Sequence, residues 1–149
     1  NPISDELFTA EKGAGAFLNN KRLRVANRAD IHEALVGCGI PHRGGEGQAE
    51  HRAELALLQA KTIGLRRLGS ATLDLAFVAS GRLDAFWERN LHPWDLAAGL
   101  LLVREAGGFT SDCDSEASPM QTGNIIAANA DLLPLIKKEL AAAKKVTGA

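Results

Sequence analysis

The chain has 149 residues, 46% of them hydrophobic, which is enough to form a domain with a buried core. Its formal net charge of −1 argues against a general nucleic-acid binder, because such proteins are usually clearly basic. Its apolar runs are shorter than the roughly 20 residues of a membrane-spanning helix, and no secretory signal is visible. The two cysteines, Cys38 and Cys113, match no metal or redox spacing. These features favour a reduced, cytoplasmic protein.

The first 28 residues predict a small antiparallel ribbon. Residues 6–10 and 16–18 read as two strands, and a tight turn at 19–21 leads into a third strand at 23–25. An isolated ribbon is marginally stable in water, so it needs further chain to pair with. The sequence also starts without Met, at what looks like the end of a strand. We therefore expect a fragment of a longer polypeptide.

Strands alternate with helices from residue 34 onward, which predicts an α/β layered unit. The predicted strands are 34–37, 65–68, 83–87 and 125–128, and the predicted helices are 48–62, 71–80, 93–106 and 132–143. The helix at 93–106 is apolar all round, so we expect it to be buried on most sides. The last helix is amphipathic, with its lysines, Lys137, Lys138, Lys144 and Lys145, on the outside.

Gly69-Ser70-Ala71 stands between a predicted strand and a predicted helix. The free N–H groups at such a helix start bind phosphates or sugar hydroxyls, and a glycine lets a ligand come close to the backbone. The plainer interpretation is that Ser70 caps an ordinary helix. The motif alone does not decide between them.

Two carboxylates nearby are candidate binding residues. Glu88 ends a buried strand, where it is either a solvated loop residue or an acceptor for polyol hydroxyls. Asp95 lies in the first turn of a helix, where it caps the helix or binds a hard cation such as Mg²⁺. One carboxylate does not make a metal site, so further ligands must come from elsewhere.

Other polar residues invite plainer interpretations. His92, which precedes Pro93, is expected to be structural. Asp112, Asp114 and Glu116 superficially suggest calcium, but they lack the spacing of an EF-hand loop and read as solvated turn residues.

Several segments together resemble the C-terminal portion of the inositol monophosphatase family. They are residues 11–17 (EKGAGAF), 69–75 (GSATLDL), 81–88 (GRLDAFWE), 93–99 (PWDLAAG), 105–108 (EAGG) and 123–125 (GNI). The resemblance implies an α+β, layered sugar-phosphatase fold. Residues 1–28 would be trailing antiparallel strands of the N-terminal domain, and residues 29–149 the C-terminal α/β domain with a mixed sheet flanked by helices.

The resemblance also implies a chemistry and a site. Gly69, Ser70 and Ala71 would contact substrate, Glu88 would bind a polyol hydroxyl, and Asp95 would bind Mg²⁺ and also lie beside the substrate. The family's reaction is phosphomonoester hydrolysis, in which metal ions activate water and stabilise the leaving alkoxide. The family's other acidic ligands lie upstream and do not occur in these 149 residues. We therefore expect no catalytic residue here, and an inactive chain within an active, commonly homodimeric, parent protein.

Three alternatives remain open at this point. The substrate is inositol monophosphate or a related compound such as histidinol phosphate, fructose 1,6-bisphosphate or 3′-phosphoadenosine 5′-phosphate. We expect the loop at 39–47, with His42 and Arg43, to lie near the substrate.

Some bacterial members of the family act on transcription or RNA-processing complexes, so a non-catalytic role is the second interpretation. A degenerate domain with only a packing role is the third.

Overall fold

The structure, a computed structural model, describes residues 1–41 and 47–147. Its strands are β1 (Phe8–Glu11), β2 (Gly15–Leu18), β3 (Lys21–Arg22), β4 (Leu35–Cys38), β5 (Gly64–Arg66), β6 (Ala85–Glu88), β7 (Phe109–Ser111) and β8 (Ile125–Ala128). Its helices are α1 (Gln48–Lys61), α2 (Ala71–Ala79), α3 (Pro93–Glu105), α4 (Pro119–Thr122) and α5 (Leu132–Thr147), and Ile31–Glu33 forms a 3-10 turn.

The central layer is a five-stranded mixed sheet with the order β5-β4-β6-β8-β7. Strand β4 pairs in parallel with both β5 and β6, whereas β8 pairs antiparallel with β6 and β7. Helices cover both faces of this sheet. The predicted α+β class, with a mixed sheet flanked by helices, is therefore confirmed.

The alternation of side chains along β6 and β8 explains the two cores. Trp87 and Ile126 point to the face covered by α1 and α5, and Phe86 and Ala127 point to the face covered by α2 and α3. All four residues are fully buried. Strands buried on both faces are continuously apolar, as Ile125–Ala128 is, and its predicted bounds match the structure.

The three-stranded antiparallel sheet β1-β2-β3 forms a further layer against α3. The backbone N–H groups of Gly13 and Gly15 donate to the carboxylate of Glu105, at 2.8 and 3.0 Å. The Val25 N–H donates to the carbonyl oxygen of Ala106 at 3.1 Å. The ribbon is thus fastened to the C-terminal end of α3. The division into domains 1–28 and 29–149 stays a proposal.

The structure differs from the prediction at several elements. The third strand of the ribbon is Lys21–Arg22 rather than 23–25, because Asn19 and Asn20 both adopt left-handed backbone (φ 44 and 65), the geometry of a two-residue hairpin turn. Strand β7, helix α4 and the 3-10 turn were not predicted. Each has at most four residues, too few for a periodic pattern.

Helix α3 is not buried on most sides, so that prediction is wrong. Trp94 is 74% exposed, and Ala97 and Ala98 are exposed as well. The other face, with Leu96, Gly99, Leu100, Leu102 and Val103, is buried. Apolar residues on every side of a helix in the sequence therefore did not show whether one face or most faces of the helix are buried. Among the described residues, no helix has both the length and the apolar character to cross a membrane.

Gly99 sets the distance between α2 and α3, the two helices whose starts flank the candidate site. A Cβ atom at this position would lie 2.4 Å from Cδ1 and 2.6 Å from Cβ of Leu75. We expect Gly99→Ala to lower the free energy of unfolding by about 1–3 kcal/mol, since the helices must separate. Urea denaturation of the variant beside Ala97→Gly, an exposed change in the same helix, measures this. An unchanged midpoint for Gly99→Ala would contradict the packing described.

Candidate functional site

The site lies at one edge of the mixed sheet, where the carboxyl ends of β4 and β6 meet the N-terminal ends of α2 and α3. Because β4 and β6 are parallel, Gly39 and Glu88 end up at the same edge. A cavity of about 340 Å³ opens there. In layered α/β proteins, ligands bind in such a crevice beyond the carboxyl ends of the strands. All five predicted site residues line this cavity, namely Gly69, Ser70, Ala71, Glu88 and Asp95.

The turn before α2 leaves backbone donors free. Gly69 has φ +89, a conformation that glycine adopts without strain, and Ser70 is extended. Ser70 stands at the N-cap position of α2, but its side chain makes no capping hydrogen bond, so the plainer interpretation holds for its position only. The first amides of a helix have no intrahelical partners and lie at the positive end of its dipole. This turn can therefore hold an anionic or hydroxyl oxygen.

Asp95 occupies the first turn of α3, two residues after Pro93. Its Oδ2 accepts a hydrogen bond from the backbone N–H of His92 at 3.0 Å, so one oxygen does cap the helix. Within residues 1–41 and 47–147, Oδ1 has no hydrogen-bond partner. The Thr72 hydroxyl donates to the Asp95 carbonyl oxygen at 3.2 Å and ties the start of α2 to the start of α3. Helix capping thus explains the position of one of the two carboxylate oxygens of Asp95.

Glu88 is half-buried at the end of β6, so it is not a solvated loop residue. Burial, together with the charges of Asp74 and Asp95, raises the pKa of its carboxyl to about 7, and the charge of Arg67 opposes this shift. Three carboxylates and one guanidinium therefore lie around this cavity. Such a set suits a ligand with hydroxyl donors together with a cation or an anionic group.

Asp74 is a residue of the cavity that our reading of the individual residues missed. It is 1% exposed, and its Oδ1 has no hydrogen-bond partner among the described residues. Burial raises the pKa of this carboxyl to about 6. The sequence did contain a signal for this residue, because Asp74 interrupts an otherwise apolar helical segment. A carboxylate in such a segment is rarely buried unless it has a specific role. Gly39, the first residue of the loop expected near the substrate, also lines the cavity, and so does Arg67, which was not predicted.

A second cavity of about 320 Å³ adjoins the first and shares Glu88 and Asp95 with it. Arg89 lies on its wall and pairs with Glu54 at 2.7 Å and with Asp114 at 2.6 Å. The Trp87 indole N–H donates to Glu54 Oε2 at 3.1 Å. These groups satisfy one another, so this network supports the end of β6 rather than offering free ligands.

Two further sequence interpretations can be compared with the structure, and a third concerns residues outside the described ranges. Asp112 is not a solvated turn residue, because it is 2% exposed and its Oδ1 accepts hydrogen bonds from the backbone of Asp114 and Ser115. That interpretation was wrong, since an aspartate that organises its own turn can be buried. His92 stacks on Trp94 with ring centroids 4.5 Å apart. His42 and Arg43 lie outside the described residues, and so does most of their loop.

No group of three or more acidic, histidine or cysteine side chains in residues 1–41 and 47–147 is arranged to hold a metal ion. Cys38 and Cys113 are both buried and free. Burial raises the pKa of the Cys38 thiol to about 11, so it is not a ready nucleophile or metal ligand. A metal in this region would need ligands beyond Asp95.

Comparison with known proteins gives a consistent result. The model of the inositol monophosphatase family matches residues 1–146. An inositol-1-monophosphatase of Mesorhizobium japonicum is 50% identical over 146 residues, covering 95% of this chain and 55% of the relative. The Nus factor SuhB of Pseudomonas aeruginosa is 46% identical over 131 residues, covering 87% of this chain and 48% of that protein. The chain thus spans about half the length of the curated relatives it matches.

Solved structures agree with the sequence relatives. The extragenic suppressor protein SuhB of Bartonella henselae superposes with a TM-score of 0.90 at 46% identity, over 94% of this chain and 54% of the other. An inositol monophosphatase from Anabaena superposes with a TM-score of 0.87 at 34% identity, over 99% and 59% of the two chains. The two-sheet arrangement is therefore shared with these proteins.

Proposed function

The chain belongs to the inositol monophosphatase family, and on this premise we propose that the whole protein is a Mg²⁺-dependent phosphomonoesterase acting on inositol monophosphate or a related sugar or polyol phosphate. One observation carries the proposal. One cavity is lined by the start of α2, which follows Gly69, and by Glu88 and Asp95, although these residues come from three separate elements. A cavity lined by both backbone donors and carboxylates suits a substrate that has both an anionic group and hydroxyl groups.

Each residue has a role in this proposal. The backbone at Gly69, Ser70 and Ala71 binds substrate oxygens through the free N–H groups at the start of α2. Glu88, when ionised, accepts a hydrogen bond from a hydroxyl of the polyol, which orients the ring. These contacts bind and position the substrate, and we propose no nucleophile from the described residues.

Asp95 is the proposed Mg²⁺ ligand. The chemistry of the Asp95 side chain fits Mg²⁺, because Mg²⁺ prefers carboxylate oxygens and Asp95 Oδ1 has no hydrogen-bond partner among the described residues. The fit is incomplete in number, because no group of three or more acidic, histidine or cysteine side chains among the described residues is arranged to hold a metal ion. A bound Mg²⁺ would supply charge stabilisation to the phosphate and to the leaving oxygen. The remaining ligands would come from other parts of the whole protein.

Turnover by the whole protein tests the proposal. We expect release of phosphate from inositol-1-phosphate in the presence of Mg²⁺, and loss of turnover when the metal is chelated. We expect the 149 residues alone to be inactive, because they supply a substrate wall and one ligand. Phosphate release under identical conditions measures both. Metal-independent turnover by the whole protein, or robust turnover by the 149 residues, would count against the assignment.

A second candidate function rests on the names of other relatives. Proteins named Nus factor SuhB, from Pseudomonas aeruginosa and Salmonella typhimurium, are 46% and 45% identical to this chain. The alternative is thus a partner of a transcription or RNA-processing complex. Replacing Asp95 by Asn separates the two, because a protein-binding role survives loss of a metal ligand. The cytoplasmic location and the homodimeric state likewise stay proposals.

A further inference from the structure

Gly39 follows the last residue of β4 and lies beside the end of β6. Its N–H donates to the carbonyl oxygen of Trp87 at 3.3 Å, which continues the parallel pairing beyond β4. Gly39 is not among the glycines with positive φ, so the backbone conformation alone does not require glycine there. The reason for a glycine must lie in the space around it.

That space is filled by Glu88. A Cβ atom added to Gly39 would lie 1.9 Å from Cδ, 2.0 Å from Oε1 and 2.4 Å from Cγ of Glu88. Real Cβ atoms essentially never come within 3.0 Å of another residue's heavy atoms. Any side chain at position 39 and the observed conformation of Glu88 therefore exclude each other. Both residues line the two adjoining cavities.

We propose that Gly39 is a positioning residue for substrate binding, because its missing side chain lets the Glu88 carboxylate lie across the end of β4 and border the cavity. This inference rests on the proposed function, since it takes Glu88 to bind a polyol hydroxyl. Glu88 is a flexible side chain and can rotate away from an added methyl group. A substitution at Gly39 therefore moves the carboxylate without breaking the sheet, so it weakens substrate binding more than it weakens folding.

A double-mutant cycle in the whole protein tests this inference, with KM, kcat and melting temperature measured on inositol-1-phosphate. We expect Glu88→Ala to raise KM about tenfold or more, the size expected for a lost hydrogen bond to a charged group. We expect Gly39→Ala to raise KM to a similar extent with kcat within about twofold. The double variant should match Glu88→Ala alone, because the methyl group then has nothing to displace.

Gly64→Ala is the matched control. Gly64 lies in the neighbouring strand β5, and its added Cβ would meet Arg66 Nη1 at 3.2 Å and Leu35 Cδ1 at 3.7 Å, away from both cavities. We expect its KM to stay unchanged. If Gly39→Ala lowers the melting temperature, the double variant should restore it, since the clash with Glu88 is gone.

The outcomes separate the two claims. If Glu88→Ala raises KM and Gly39→Ala does not, the role of Gly39 is refuted while the proposed function stands. A double variant worse than Glu88→Ala alone would also refute it, because Gly39 would then act through other contacts. If neither variant changes KM, Glu88 does not bind the substrate, and the inference fails together with that part of the proposed function.

Discussion

Replacing Asp95 by Asn in the whole protein is expected to reduce Mg²⁺-dependent turnover at least about a hundredfold, the scale seen when a group that stabilises transition-state charge is removed. An amide keeps the size of the side chain, and its oxygen can still accept the hydrogen bond from the His92 N–H. The negative charge that attracts the cation is lost. The fold should therefore persist while the affinity for the metal falls.

Phosphate release measured against Mg²⁺ concentration shows which property has changed. We expect the variant to need much more Mg²⁺ and to melt within a few degrees of the unaltered protein. Asp131→Asn is the matched control, because Asp131 is an exposed aspartate before α5 and away from both cavities. Unchanged turnover and Mg²⁺ dependence in Asp95→Asn would leave Asp95 as a helix cap only.

The second large effect is expected at Arg89. Glu54 is completely buried, and Arg89 pairs with it through Nε at 2.9 Å and Nη2 at 2.7 Å. Removing one partner of a buried ion pair costs about 3–5 kcal/mol, because the other charge stays buried without compensation. We expect Arg89→Ala to lower the free energy of unfolding of the whole protein by this amount at pH 7, as measured by urea denaturation.

The loss should depend on pH in a defined direction. Burial already raises the pKa of Glu54, although Arg89 and Trp87 both oppose the shift, and without Arg89 the pKa must rise further. A carboxyl whose pKa is higher in the folded state than in the unfolded state loses stability as pH rises, so the variant should be least destabilised in acid.

Two further variants make the Arg89 result specific. Arg104→Ala removes an exposed arginine at the end of α3 and should change stability by less than about 0.5 kcal/mol. Adding Glu54→Gln to Arg89→Ala should recover part of the loss, because the unpaired charge is gone. A change below about 1 kcal/mol for Arg89→Ala would mean that the network contributes little.

Local patterns in the sequence predicted the elements that carry a strong signal of their own, such as an apolar run or a proline at a helix start. The apolar run at 125–128 predicted β8 with its observed bounds, and Pro93 marked the first residue of α3. Short elements such as β7 and α4 carry no periodicity, and the exposed face of α3 depends on what packs there. These features are decided by tertiary contacts, which local pattern does not contain.

The residues of the candidate site divide in the same way, into those that the sequence pattern identified and those that it did not. Gly69, Ser70, Glu88 and Asp95 could be named because each has a chemical type suited to an element boundary, and the family resemblance joined them. Asp74 was not named as a site residue, and Gly39 was included only as the first residue of the loop expected near the substrate. The importance of Gly39 comes from Glu88, which is far away in the chain and becomes its neighbour only through the pairing of β4 with β6.

The central claim is that Asp95 binds a divalent cation opposite the backbone donors at the start of α2. A crystal structure of the whole protein grown with Mn²⁺, which scatters anomalously in place of Mg²⁺, tests it most directly. We predict an anomalous peak about 2.1 Å from an Asp95 carboxylate oxygen, at the cavity that Gly69 and Glu88 also line. Both Asp95 oxygens bonded only to backbone N–H groups, with no peak beside them, would contradict the claim.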